Sequence, residues 1–239
     1  MEKECHWWRA DPMIRLNFIV EGQTEQIFVH DVLKNHLSFF EVYTYVRRVE
    51  TGKRKGNIYR GGMTGYQKAR NDILNWIKED KDPQARFTTM FDLYALPPSF
   101  PKSNESQSIN DPYKRVEKLE EAFQEDINDH RFLPYIQLHE YESLLLSDPS
   151  SFKYVFPKYT NQIECLKKMS KQFQTPEHIN DKNETAPSKR IIKEIPEYAD
   201  LKTTAGPLIA KKIGLKVIRE KCQHFNTWLC CLEKLNLKS

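Results

Sequence analysis

The stretch "NFIVEGQTEQIF", Asn17–Phe28, sets the reading of the fold. An apolar run stops at Glu21, a glycine follows, and Glu25 comes four residues later. Burying charge is costly, so an apolar strand that ends in carboxylates needs a reason. Ile14–Val20 reads as a buried strand. Thr24 is placed to cap a following helix that carries Phe28, Val32 and Leu33 inward, with Glu25 in its first turn, where negative charge is favourable.

The same alternation continues. "EVYTYVRRV", 41–49, is rich in β-branched and aromatic residues and predicts a second strand. A basic, glycine-rich loop, "TGKRKGNIYRGGMTG", leads to a helix near Tyr66–Lys78 with Ala69, Ile73, Trp76 and Ile77 on one face. "RFTTMFDLY", 86–94, predicts strand three. A proline-rich loop and a helix near Tyr113–Asn128 follow, then strand four in "FLPYIQL", 132–138, and a helix starting in "HEYESLLL". Strand–helix repetition of this kind predicts an α/β fold with a parallel sheet and helices on its faces. After about Asp148 the pattern is helical. The last helix sets Leu215, Ile218, Cys222, Phe225, Leu229 and Leu232 on one stripe. The expected organisation is a tail over 1–12, an α/β domain over 13–150 and a helical extension over 151–239 packed on it.

Composition bounds the function. The 239 residues are 39 % hydrophobic and 29 % charged, as in a soluble globular chain. No run approaches the roughly 18 apolar residues of a membrane span, and the charged first twelve residues do not read as a secretory signal. Five scattered cysteines without a C-x-x-C pair point to a reducing, cytoplasmic setting and to no zinc site. The net charge of +4 permits a local nucleic-acid patch without demanding one.

Ligands of open parallel sheets bind beyond the carboxyl ends of the strands. Glu21 follows strand one, Asp92 ends strand three, and Glu140 and Glu142 follow strand four. Acids delivered to one edge from three strands suit magnesium or manganese, which take oxygen ligands. A solvated turn acid or a helix-start acid is the plainer reading of any one of them.

The motifs "IVEGQTE", "FDLYALP", "RFLPYIQLHEYESLLLSDP", "TPEHINDKNETAPSKRI" and "IGLKVIREKCQHFNTWL" together resemble a family of domain-of-unknown-function proteins (DUF 4276). That family in turn resembles the Toprim fold of topoisomerases, primases and overcoming-lysogenization-defect nucleases. The resemblance covers nearly all of the chain from Met13. It implies a Toprim- or Rossmann-like parallel sheet of about four strands, and a Mg2+- or Mn2+-dependent nuclease acting on DNA or RNA. Carried over by motif, Glu21 is the first-strand glutamate, Glu25 the second glutamate of E-G-x-x-E, and Asp92 the first acid of Asp-x-Asp. Tyr94 replaces the second acid, and Glu140 or Glu142 is the expected substitute metal ligand. Glu21, Asp92 and Lys189 are the expected catalytic residues, with Lys189 contacting phosphate. The resemblance further implies a bacterial anti-phage effector working with an ABC- or structural-maintenance-type ATPase. A homo-oligomer stays open.

Lys189 and Arg190, near a helix start, oppose the helix dipole unless an anion binds there. An ion pair with Glu184 is the plainer explanation. With Lys53, Arg54 and Lys55 of "GKRKG" they are the candidate nucleic-acid contacts, against a simple solvated loop. His139 reads as a spacer at the end of strand four, with metal ligation and proton transfer as alternatives. Phe225 and Trp228 could dock a partner or fill the chain's own core. The alternatives to a nuclease are a non-catalytic Toprim-like module of an ATPase complex and a phosphohydrolase of a small ester.

Overall fold

The computed structural model describes residues 13–49, 53–54, 57–58, 65–179 and 185–238. The expected tail, Lys55, most of the glycine-rich loop and Glu184 lie outside the described residues.

Strand β1 (Ile14–Val20) is central, with parallel β2 (Val42–Arg48) on one side and parallel β5 (Ala85–Asp92) on the other. β6 (Phe132–Leu133) and β7 (Ile136–Gln137) both pair with β5, also parallel. Expected strand four is therefore two short pieces. Pro134 lies between them and has no N–H for a ladder. A separate antiparallel pair joins β3 (Lys53–Arg54) and β4 (Asn57–Ile58).

Side chains alternate across β1, so one sheet gathers two cores. Ile14, Leu16, Phe18 and Val20 face one layer, and Ile19 faces the other with Ala85, Phe87 and Phe91. The second layer is α3 (Tyr66–Glu79) and α5 (Pro112–Ile127), with the short α4 (Ser103–Ser106) between them in the chain. The expected inner face of α3, Ala69, Ile73, Trp76 and Ile77, is buried.

The first layer begins with α1 (Gln23–Phe28), which passes through a π turn at Val29–Leu33 into α2 (Lys34–Ser38). Thr24 does not cap it. Gly22 is the cap residue, and Thr24 is buried in the first turn. The layer is completed by α9 (Tyr198–Ile213), α10 (Leu215–Lys221) and α11 (Gln223–Glu233). Phe225 and Trp228 are buried here. Trp228 stacks on Tyr135 at 4.0 Å and donates its indole N–H to Thr88 Oγ1 of β5 at 3.0 Å. They are core, not the exposed docking stripe considered from the sequence. The C-terminal helices thus share one core with β1.

Candidate functional site

The carboxyl edge of the sheet is built by carboxylates that take backbone N–H groups of the next segment. Glu21 Oε2 accepts from the Asp92 N–H at 3.2 Å, tying the end of β1 to the end of β5. Asp92 Oδ1 accepts from the Tyr141 N–H at 3.0 Å, tying β5 to the turn after β7. Glu140 Oε2 accepts from the Ser188 N–H at 2.9 Å, tying that turn to α8 (Pro187–Glu194). The start of α8, where an anion was expected, is thus taken by the carboxylate of Glu140.

Glu25 turns back over the start of α1. A Cβ on Gly22 would lie 2.8 Å from Glu25 Oε2, while the backbone of Gly22 is extended, at φ −134° and ψ −176°. The glycine therefore provides room for the carboxylate rather than an unusual backbone angle. The geometry is that of the third-position acid of a capping box.

Glu142, in α6 (Glu142–Leu145), is fully buried. Its Oε1 accepts from Tyr198 Oη at 3.0 Å and lies 3.0 Å from Lys202 Nζ. Among the described residues its Oε2 has no hydrogen-bond partner, nor has the buried hydroxyl of Tyr141. α9 supplies both partners from one stripe, since Tyr198, Lys202 and Gly206 are four residues apart. Gly206 lets α9 come this close. A Cβ there would meet Tyr141 Cε1 at 3.1 Å, Tyr198 Oη at 3.2 Å and Thr24 Cγ2 at 3.4 Å.

The charges do not balance. Burial raises the Asp92 pKa well above the carboxylate range, and Glu25, Glu21 and Glu142 push it further. Burial also raises Glu25, with Glu142 adding to it, against the N–H groups of Glu25 and Gly22. Glu142 is raised by burial against the pull of Lys202. Lys202 loses from burial but is raised by Glu142 and Asp92. The cation that these acids feel is Lys202, not Lys189.

Lys189 is exposed and, with Arg190, Lys193 and Cys165, lines a cavity of about 200 Å3 between α7 (Thr160–Ser170) and α8. Arg190 donates to the Thr185 carbonyl at 2.7 Å and lies over the Phe173 ring. Lys53 and Arg54 form β3, away from the main sheet's ladders.

His139 is buried in the left-handed region at φ 64°. Its carbonyl accepts from the Tyr94 N–H at 3.3 Å and its ring faces the Tyr94 ring at 5.7 Å. Tyr94, where the resemblance leads one to expect a second acid, braces the segment that carries Glu140 and Glu142.

A family model described as a domain of unknown function (DUF4276) matches residues 20–233. The chain belongs to that family. No curated protein and no solved structure matches it. The DUF4276 span contains the acids of all three strand ends and the lysine of α9 that faces them.

Can this DUF4276 edge hold a divalent cation? The donors are all oxygens, the negative charge exceeds the positive, and Glu142 Oε2 is orphaned in the interior. That chemistry fits a hard cation. The side chains as they stand do not enclose one. Among the described residues no group of three or more His, Cys, Asp or Glu is arranged to hold a metal ion. Glu21, Asp92 and Glu140 each turn an oxygen toward a backbone N–H. No helix among the described residues is long and apolar enough to cross a membrane.

Proposed function

We propose that the chain is a divalent-cation-dependent hydrolase of phosphodiesters in DNA or RNA. The observation that carries this reading is the acid cluster at the carboxyl edge of a parallel sheet, where buried Glu142 keeps an unused Oε2 and faces Lys202 at 3.0 Å, and where burial and mutual repulsion raise Asp92, Glu25 and Glu142. Asp92, Glu21 and Glu142 would hold the cation, with Glu25 and Glu140 at its margin. A bound Mg2+ or Mn2+ would supply polarisation of a phosphoryl oxygen and activation of a water. Lys202, half-exposed beside Glu142, presents an ammonium to an incoming phosphate. Lys189, Arg190 and Lys193 border the cavity next to the Glu140-capped start of α8, and favour an extended polyanion over a small ester. The likeness to Toprim domains supports the reaction class. It also extends the proposal to an ATPase partner and an effector role in anti-phage defence.

A second reading rests on a different observation. Glu21, Asp92 and Glu140 each already bond a backbone N–H, as structural staples of a non-catalytic module would. The test is incubation with plasmid, single-stranded DNA and RNA, with Mg2+ or Mn2+, comparing wild type with Asp92→Asn and Glu142→Gln. Each is run with and without a candidate ATPase. Metal-dependent cleavage lost in both variants supports the hydrolase. Cleavage that survives both removes the acid site from the chemistry. No cleavage under any condition, with no Mn2+ binding, leaves the staple reading.

A further inference from the structure

The sheet ends at β2, which has no strand beyond it among the described residues. Such an edge presents a row of open backbone groups. The hydrogen bonds fix which groups these are. The Ile14 N–H donates to the Glu41 carbonyl at 3.2 Å and the Val49 N–H donates to the Val20 carbonyl at 2.9 Å. Odd-numbered residues of this strand therefore address β1, and Val42, Thr44, Val46 and Arg48 point their N–H and C=O groups outward. Among the described residues the edge carries charge at its C-terminal end alone, at Arg47 and Arg48. It has no proline, no lysine and seven uninterrupted strand residues. Tyr43 and Tyr45 are 44 % and 56 % exposed on it, and Phe39, just before it, is 85 % exposed.

The sequence of the edge reads the same in both directions about Thr44: Val42, Tyr43, Thr44, Tyr45, Val46. Glu41 precedes this run and Arg47 follows it, and both are engaged within the chain: Glu41 Oε2 accepts from Asn236 Nδ2 at 2.7 Å and Arg47 pairs with Glu79 at 3.0 Å. We infer that β2 is the contact between two copies of this chain, paired antiparallel about a two-fold axis at Thr44. In that register Thr44 faces its own copy, Val42 faces Val46 and Tyr43 faces Tyr45. The outward-pointing residues fall at the hydrogen-bonded pairs. The tyrosines fall at the closer, non-hydrogen-bonded pairs, where aromatic cross-strand contacts are favourable. A two-fold contact must be self-complementary, and the palindromic run over 42–46 meets that condition residue by residue. Phe39 and Phe40 lie beside the pairing and add apolar area at its ends. The joined sheet places its two acid edges on opposite sides, because antiparallel pairing reverses the carboxyl edge. The inference does not depend on the proposed hydrolase.

Sedimentation velocity on the full chain tests it. The expected species has twice the chain's 28.4 kDa. The double variant Tyr43→Lys, Tyr45→Lys sets lysine against lysine at two positions, and is expected to sediment as a monomer with an unchanged far-ultraviolet circular dichroism spectrum. Thr44→Pro removes an outward N–H at the two-fold, and is expected to do the same without touching the ladder to β1. If Thr44→Pro fails to fold, the double lysine variant decides, since both tyrosines are exposed. A monomeric wild type, or a dimer that persists in the folded double variant, overturns the inference.

Discussion

Two sets of buried acids sit in this fold, and they are satisfied differently. Glu177 is fully buried, yet its carboxylate accepts from the N–H groups of His224 and Phe225 at the start of α11, both at 3.0 Å, and from Tyr113 Oη at 2.9 Å. Nearby, Glu120 Oε1 accepts from the Ile136 N–H at 2.7 Å and lies 3.0 Å from His224 Nε2. Each charge there has donors, a helix start or a cation. At the carboxyl edge, Asp92, Glu25 and Glu142 crowd one another, and Glu142 Oε2 has no donor among the described residues. A buried carboxylate kept for structure is fully hydrogen-bonded, whereas a ligand site keeps unspent acceptor capacity. The contrast separates a joint from a candidate site within one molecule.

Glu177→Ala leaves two buried α11 donors without an acceptor, at about 1–3 kcal/mol each, so a loss of about 4 kcal/mol is expected in urea unfolding. Glu177→Gln keeps one oxygen and loses less. If both variants are as stable as wild type, Glu177 is not the joint described.

On the other side, Mn2+ binds the folded acid cluster in preference to the unfolded chain. At 100 times its dissociation constant it is expected to add about 2.7 kcal/mol, seen as a raised melting temperature. Asp92→Asn should abolish that rise. Without metal the same variant is expected to stabilise the fold by about 1 kcal/mol, because it removes a like charge while its amide oxygen still accepts from Tyr141. A destabilised, metal-free Asp92→Asn would place Asp92 with the joints.

The elements were legible where one period ran unbroken. β1 and the α3 face follow directly from alternation and from 3.6-residue spacing. β7 and β6 did not appear as two strands, because the apolar run 132–138 hides the break at Pro134. Glu21, Asp92 and Glu142 could be placed at one edge because strand ends in a parallel sheet share it. Lys202 could not, since only the packing of α9 against α1 brings it there. Its signal was present as Tyr198, Lys202 and Gly206 at four-residue spacing, but a cation on a helix reads as solvated until its neighbours are known. Lys189 drew the expectation instead by standing near a helix start, which Glu140 in fact occupies.

The contact between His224 and Glu120 makes the structural joint sensitive to pH. Burial lowers the His224 pKa, but the hydrogen bond and charge of Glu120, with Glu177, hold it above its ordinary value. A group whose folded pKa is raised binds more protons folded than unfolded. Its contribution is therefore complete below the unfolded value of about 6.5 and is lost as pH rises through the folded value. Stability by urea unfolding should fall across that window, and the fall should be shallower in His224→Gln. The raised acids of the carboxyl edge titrate with the same sign, so part of the slope survives in the variant. Saturating Mn2+ should remove that remaining part and leave the His224 part intact, since the ion neutralises the acids and does not reach the joint. A slope unchanged by His224→Gln would mean that the imidazole is not charged against Glu120, and that this joint is held by the backbone donors alone.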